Sequence, residues 1–278
     1  MSQSEQAGAN SDQEVAAAEA GEAAQAEPPF QATFEPELED KLGRVEDPLE
    51  LYLEEASFYR PISTGDVFLG VPVPGSTSEE RASRLSMVLS HPSAMRKGPE
   101  LEKRARAAPV VSVPDENFSA TKYTVGYSDL FSLPRLGQVV RENGHDLADE
   151  RWATLLNVTG TIETGDLDVR RRVVCLSPKG VTLLLQKLVN SDTRAAVRLD
   201  TIERVIEPKL EELEQLQTWN EALAAPKVDA GADLEVELRA VAHAFDEAMS
   251  PLAPLLGDPL RRGEVRRKMG NELRERLG

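Results

Sequence analysis

The side chains best suited to chemistry in this 278-residue chain are three histidines and one cysteine. His91 begins the run His91-Pro92-Ser93 after an apolar stretch, and an imidazole there could exchange a proton near neutral pH. A single histidine at a strand end is more often a hydrogen-bonded loop residue, and spacing alone defines no Ser-His-Asp order. Cys175 lies in an apolar run, which indicates a small core residue rather than a nucleophile.

No metal site and no cofactor are predicted. The histidines are far apart, and a single cysteine excludes both cysteine-based zinc sites and an internal disulfide. No run approaches the roughly 20 apolar residues that cross a bilayer, and the N-terminus lacks a basic region followed by an apolar stretch. These features predict a cytoplasmic protein without membrane contact.

Two clusters of cations are candidates for contact with a phosphate backbone. The first consists of Arg96, Lys97, Lys103, Arg104 and Arg106, and the second of Arg170, Arg171 and Arg172. Neither has the interleaved aromatic residues that stack on bases, and Glu100 and Glu102 dilute the first. More cations fall near the C-terminus, where a solvated helix face is the simpler interpretation. Pairing with the acidic N-terminal segment would explain the clusters equally well.

The negative charge of the chain is concentrated at its beginning. The formal net charge is −16, of which residues 1–58 carry −13 and residues 59–278 carry −3. A nearly neutral body can hold local basic patches, so the acidity excludes a histone-like binder but not nucleic-acid contact. Residues 1–35 are predicted to be a disordered acidic tail, because they contain almost no large apolar side chains. Solubilisation is the favoured role of this tail, with shielding of a basic site or mimicry of nucleic acid as alternatives.

The rest of the sequence predicts an α+β chain with a β-rich front and a helical back. Residues 36–58 show apolar spacings of three and four and predict a short helix that docks on the body. Short apolar runs with Gly and Pro between them predict a small barrel or sandwich over residues 59–176. Strands are predicted at 65–73, 85–89, 107–113, 123–127 and 172–176, with a hairpin within 154–165.

The mostly helical region is predicted to cover residues 177–278. Ser177 and Pro178 form a helix start, with serine as the cap and proline at the first helical position. A long amphipathic helix over residues 202–219 should kink or split at Pro208. A linker is predicted at 225–232, and further helices at 234–249 and 258–277.

The stretch 64–113 resembles the MazF/PemK family of plasmid-maintenance toxins. The likeness rests on Gly65-Asp66-Val67-Phe68, on Arg84 before Leu85-Ser86-Met87-Val88-Leu89-Ser90, and on Ala108-Pro109-Val110-Val111-Ser112. The order and approximate spacing of these pieces fit the family, although Leu85 replaces its proline and Ser112 its usual threonine. The resemblance implies an SH3-like β-barrel and cleavage of RNA without a metal ion.

If this resemblance extends to function, Arg84 supplies the cation that stabilises the phosphorane charge, and Ser112 orients the phosphate. His91 is then a third candidate catalytic residue. The stretch 87–98 also resembles uncharacterised bacterial proteins of similar length with a barrel-like front and a helical back. In those proteins a cysteine often follows His-Pro, where this chain has Ser93. The second resemblance covers more of the chain and implies no activity.

The favoured interpretation is a non-catalytic interaction or adaptor protein that binds a protein partner. Its placement in a bacterial stress or defence system rests on the resemblance. The first alternative is a metal-independent endoribonuclease of the toxin type. The second is a sequence-tolerant binder of RNA or DNA that uses the basic clusters. Self-association through the long amphipathic helix is left open.

Overall fold

The computed structural model describes residues 47–75, 85–113, 129–148, 151–193 and 197–278. Over these ranges the chain has the predicted α+β architecture, with one large antiparallel sheet, a small hairpin and several helices. Within them, no helix is long and apolar enough to cross a membrane. The predicted disordered tail at 1–35 and the predicted strand at 123–127 lie outside the described residues.

The strands are β1 (Val67–Leu69), β2 (Leu85–Val88), β3 (Arg96–Lys97), β4 (Glu100–Leu101), β5 (Arg104–Val113), β6 (Leu130–Leu133), β7 (Arg151–Leu155), β8 (Gly160–Glu163) and β9 (Arg172–Val174). The large sheet has the strand order β6–β7–β5–β2–β1–β9, and β8 also pairs with β5. The end strands β6 and β9 do not pair with each other in the described ranges, so the sheet is open there. A separate hairpin joins β3 to β4.

The long strand β5 organises the centre of the sheet. One of its edges pairs with β2, and the other pairs with β8 along its first half and with β7 along its second half. The predicted hairpin within 154–165 is therefore wrong, because β7 and β8 lie end to end along β5 instead of pairing with each other. A turn in which the Val158 N–H donates to the Leu155 carbonyl interrupts this edge without reversing the chain.

The helices are α1 (Leu136–Glu142), α2 (Pro178–Thr193), α3 (Leu199–Trp219), α4 (Ala225–Asp229), α5 (Leu234–Met249) and α6 (Arg262–Leu277). The start of α2 is as predicted, since the Ser177 Oγ accepts a hydrogen bond from the Gly180 N–H at 3.1 Å. Pro208 lies inside α3 and does not split it.

The predicted linker at 225–232 is wrong over residues 225–229, which are helical, and only 230–232 form a turn and loop. The π-helical turn Asn220–Ala224 carries α3 directly into α4, which ends before a turn where Gly231 has a φ of +98°. Pro226 is the second residue of α4, which directly follows the π-helical turn, and it does not end the helix there.

The predicted docking segment 36–58 is described from residue 47 onward. There the chain forms a 3₁₀ turn, Pro48–Leu51, instead of an α-helix, and the Asp47 carboxylate caps this turn. The turn docks on the body, because Leu51 is fully buried and Tyr52 forms a β-bridge with Leu176.

Both faces of the large sheet are buried. One face packs against α1, α2 and the first half of α3, and the opposite face forms a smaller core around Phe68 and Ile162. A third core lies between the second half of α3, α5 and α6. Helix α3 contributes Leu213 to the first core and Leu216 to the third, so it joins the sheet to the C-terminal helices.

Candidate functional site

The structure separates two candidate catalytic residues of the toxin hypothesis. Ser112 lies near the end of β5, whereas His91 follows Ser90, whose Oγ accepts a hydrogen bond from the Arg106 N–H near the beginning of β5. Six residues of extended strand span about 20 Å, so the His91 and Ser112 side chains do not share one site. Arg84 lies outside the described residues.

His91 is engaged locally. Its Nδ1 lies 2.6 Å from the Ser93 Oγ and also accepts the Ser93 N–H, which caps the short 3₁₀ turn Pro92–Ala94. Partial burial lowers the pKa of His91, which favours the neutral imidazole that this cap requires. Both contacts of the ring are therefore made to Ser93, two residues away in the same turn.

Two cations of the first basic cluster are matched by carboxylates of the same chain. Arg106 forms a two-pronged ion pair with Asp192 on α2, at 2.9 and 3.2 Å. Arg104 pairs across the strands with Glu163 on β8, at 2.9 Å. The hydrogen bond from Arg106 lowers the pKa of Asp192, so this carboxylate stays charged. Much of the positive charge predicted for phosphate contact is therefore already compensated.

Arg96 is held in the β3–β4 hairpin beside the helices. Its Nη1 donates to the Pro99 carbonyl at 3.1 Å, and burial lowers the pKa of its guanidinium while the charge of Glu212 on α3 raises it. The hairpin also approaches α5, since a side chain at Gly98 would contact the Asp246 carboxylate. Arg96 thus faces acidic helices of its own chain.

Arg172 does not belong to an exposed phosphate-binding surface, which corrects that part of the second cluster. Its side chain is fully buried and pairs with Asp66 at 2.9 Å. It also donates to the carbonyls of Ser57, Arg60 and Pro61. Burial alone would lower the pKa of Arg172, but the Asp66 carboxylate outweighs it and the pKa is raised. The guanidinium therefore holds the segment before β1 against β9.

The remaining members of the two clusters are exposed and have no ion-pair partner within the described residues; they are Lys97, Lys103, Arg170 and Arg171.

Two cations near the C-terminus form ion pairs with carboxylates of the same chain, as Arg104 and Arg106 do. Arg262 pairs with Glu207 at 2.6 Å, and Arg266 pairs with Glu211 at 3.1 Å, so α6 is tied to α3.

Cys175 is buried, as the sequence predicts. Burial, with a smaller effect of the Asp66 carboxylate, raises the pKa of its thiol well above the ordinary value, so the thiol stays protonated and unreactive. No group of three His, Cys, Asp or Glu side chains in the described ranges is arranged as a metal site.

Comparison of the chain with protein-family models and with curated proteins found no match. The function of the chain is therefore inferred from its own surfaces.

A groove of about 520 Å³ lies between α2 and α3. This volume falls in the range of about 300–1,000 Å³ that is typical of binding pockets. Its apolar lining comes from the partly exposed Leu199 and from Leu183, Ile206 and Leu210, which belong to the buried core beneath it, with Pro178 and Pro259 beside them. Leu260 directly follows Pro259 and is 94% exposed, so an apolar side chain projects into solvent next to the groove.

The rim of the groove carries charges of both signs. Asp200 is neutralised by Arg198 at 3.0 Å, and Glu207 by Arg262. Glu203 and Arg204 also line the groove, and neither forms an ion pair with another described residue. The sequence predicted both helices but not this groove, because pairing of α2 with α3 beside Pro259 depends on long-range packing. The local sequence feature that pointed to this groove was Leu260, an apolar residue in a polar loop.

The N-terminal 3₁₀ turn is fixed beside the α2 end of this groove. The Ser177 N–H donates to the Leu51 carbonyl at 2.8 Å, and the Ser177 Oγ donates to the Glu50 carbonyl at 2.5 Å. Lys179, which lines the groove, forms an ion pair with the Glu50 carboxylate. Gly180 permits this approach, because a Cβ there would overlap the Leu51 carbonyl.

Proposed function

We propose that this protein is a non-catalytic interaction protein that binds an amphipathic helix of a partner in the groove between α2 and α3. The observation that carries the proposal is a groove with charges of both signs on its rim, the partly exposed Leu199 in its lining and the exposed Leu260 beside it. Helices that bind in grooves present apolar anchors at positions i, i+3 or i+4, and i+7. A cytoplasmic location and a role in a bacterial stress or defence system belong to the same proposal.

The state of the basic clusters supports this choice over nucleic-acid binding. To contact a phosphate, Arg106 would have to give up its ion pair with Asp192, and Arg104 would have to give up its ion pair with Glu163. Affinity for nucleic acid grows with the number of phosphates that cations neutralise, so cations already paired within the chain contribute less. Sequence-tolerant binding of RNA or DNA would depend on Lys97 and the other exposed cations.

A second proposal is that the sheet is an SH3-like barrel of the MazF/PemK type that cleaves RNA without a metal ion. Its support is the arrangement of β1, β2 and β5 as adjacent antiparallel strands in the region of resemblance. If this proposal holds, the purified protein cleaves RNA in the presence of EDTA, and the Arg84→Ala variant does not. Unstructured and structured RNA that both stay intact at high protein concentration would exclude it.

The groove proposal is tested by affinity capture from a lysate of the source cells with three full-length baits. The groove bait carries Arg204→Glu and Leu260→Glu. The control bait carries Val236→Glu and Arg239→Glu on α5, which repeats the same changes of charge and apolarity away from the groove. All four side chains are exposed, so the fold should persist in both variants, as circular dichroism would verify.

We expect a protein that the parent and control baits retain and the groove bait loses, because two glutamates beside the groove desolvate poorly against an apolar helix face. Recovery of the same proteins on all three baits would exclude the groove as the binding surface.

A further inference from the structure

We infer that the partner helix carries a lysine or arginine that pairs with Glu203, and that this helix lies end to end with α6 along α3. The inference rests on the proposed function, because it names the charged group that the groove selects in its partner. The case is made by α6, which already binds the next part of the same side of α3.

One side of α3 carries a carboxylate on three successive turns. Glu203, Glu207 and Glu211 are spaced by four residues, so each lies next to the following one on the helix surface. Glu203 and Glu207 line the groove, and Glu211 is one turn further along the helix. The groove and the stretch of α3 that follows it therefore lie on the same side of this helix.

Helix α6 shows how a helix docks on this side of α3. Arg262 pairs with Glu207 at 2.6 Å. Arg266, four residues later, pairs with Glu211 at 3.1 Å. The side chain of Val265, between the two arginines, is fully buried in the third core. Cations spaced by four residues, with an apolar side chain between them, thus match the carboxylates of α3.

Glu203 is the carboxylate of this series that has no counter-charge in the described ranges. On the same rim, the pKa of Asp200 is lowered by its hydrogen bond with Arg198 and further by the charge of Arg204, so Arg204 already has a carboxylate nearby. An apolar side chain placed over Glu203 would desolvate an unpaired charge, which is strongly unfavourable. A lysine or arginine there would instead repeat the pairing of Arg262 with Glu207.

The apolar contacts of the partner fall beside Glu203. Leu199 lies one turn before it and is partly exposed in the lining, and Leu260 is exposed beside the groove. Pro259 also lines the groove, three residues before Arg262. The connection into α6 therefore separates the two docking positions on α3, and the partner helix does not have to displace α6.

The test adds two full-length baits to the capture experiment. One carries Glu203→Lys, and the other carries Glu235→Lys on the exposed side of α5, which makes the same change of charge away from the groove. The protein that the Arg204→Glu/Leu260→Glu bait loses is followed. We expect its capture to fall at least about tenfold on Glu203→Lys, where like charges meet, and to stay unchanged on Glu235→Lys.

The decisive step reverses charges in the captured protein. We expect one change of a lysine or arginine on its binding helix to glutamate to restore capture by the Glu203→Lys bait. The inference is overturned if no such change restores capture, or if the protein binds Glu203→Lys as well as the parent; the proposed function would then still stand. Stronger capture on Glu203→Lys would also overturn it and would indicate a partner that presents carboxylates or phosphates. If no captured protein depends on the groove, the proposed function fails and the inference fails with it.

Discussion

Replacing Asp66 by alanine is expected to lower the free energy of unfolding by about 3–5 kcal/mol, because it leaves the Arg172 charge buried and unpaired. The side chains of Asp66 and Arg172 are 2% and 0% exposed. The Asp66 carboxylate also accepts the Ser63 N–H at 3.0 Å, so its loss leaves a second buried group without its partner. The Arg172 contacts with the carbonyls before β1 do not compensate for the lost negative charge.

The matched control is Glu163→Ala, which breaks the Arg104–Glu163 pair. Those side chains are 72% and 60% exposed, and exposed ion pairs contribute about 0–1 kcal/mol. Urea unfolding followed by tryptophan fluorescence measures both variants. An Asp66→Ala protein that is destabilised no more than Glu163→Ala would show that the buried pair does not hold the β1–β9 region together.

Replacing Trp219 by alanine is the other change from which we expect a large loss, about 3–5 kcal/mol of unfolding free energy. Trp219 is 1% exposed and forms an edge-to-face contact with Phe245, with ring centroids 5.4 Å apart. The guanidinium of Arg276 lies 5.6 Å from its ring centroid. The substitution therefore opens a cavity where α3, α5 and α6 meet and also removes an aromatic and a cation–π contact.

Val205→Ala on the same helix is the control for Trp219→Ala. Val205 is 63% exposed, and substitutions at such surface positions change stability by about 0.5 kcal/mol or less. Differential scanning calorimetry measures both variants without relying on the fluorophore that has been removed. A Trp219→Ala protein with the melting temperature of Val205→Ala would contradict the assignment of a C-terminal core around this residue.

The local elements of the fold could largely be read from the sequence. The runs at 85–89 and 172–176 became β2 and β9, because apolar runs between turn-forming residues have few alternatives to a buried strand. The Ser177-Pro178 start of α2 was equally readable, since capping depends on adjacent residues. The end-to-end arrangement of β7 and β8 could not be predicted from the sequence, because it depends on the pairing of both strands with β5.

The candidate site was less predictable, because charge compensation acts between residues that are distant in sequence. Arg106 and Arg172 stood out as members of basic clusters, but Asp192 and Asp66 lie 86 and 106 residues away from them. A local count of cations therefore overstates the positive surface that remains after folding. The groove escaped prediction for the same reason, since α2, α3 and Pro259 form it together.

The most direct test of the proposed groove is the abundance of captured proteins on the three baits, measured by quantitative mass spectrometry. We predict at least one protein that is enriched about tenfold on the parent and Val236→Glu/Arg239→Glu baits over the Arg204→Glu/Leu260→Glu bait, which corresponds to about 1.4 kcal/mol of binding free energy. No such protein, or equal enrichment on all three baits, would contradict a partner-binding groove between α2 and α3.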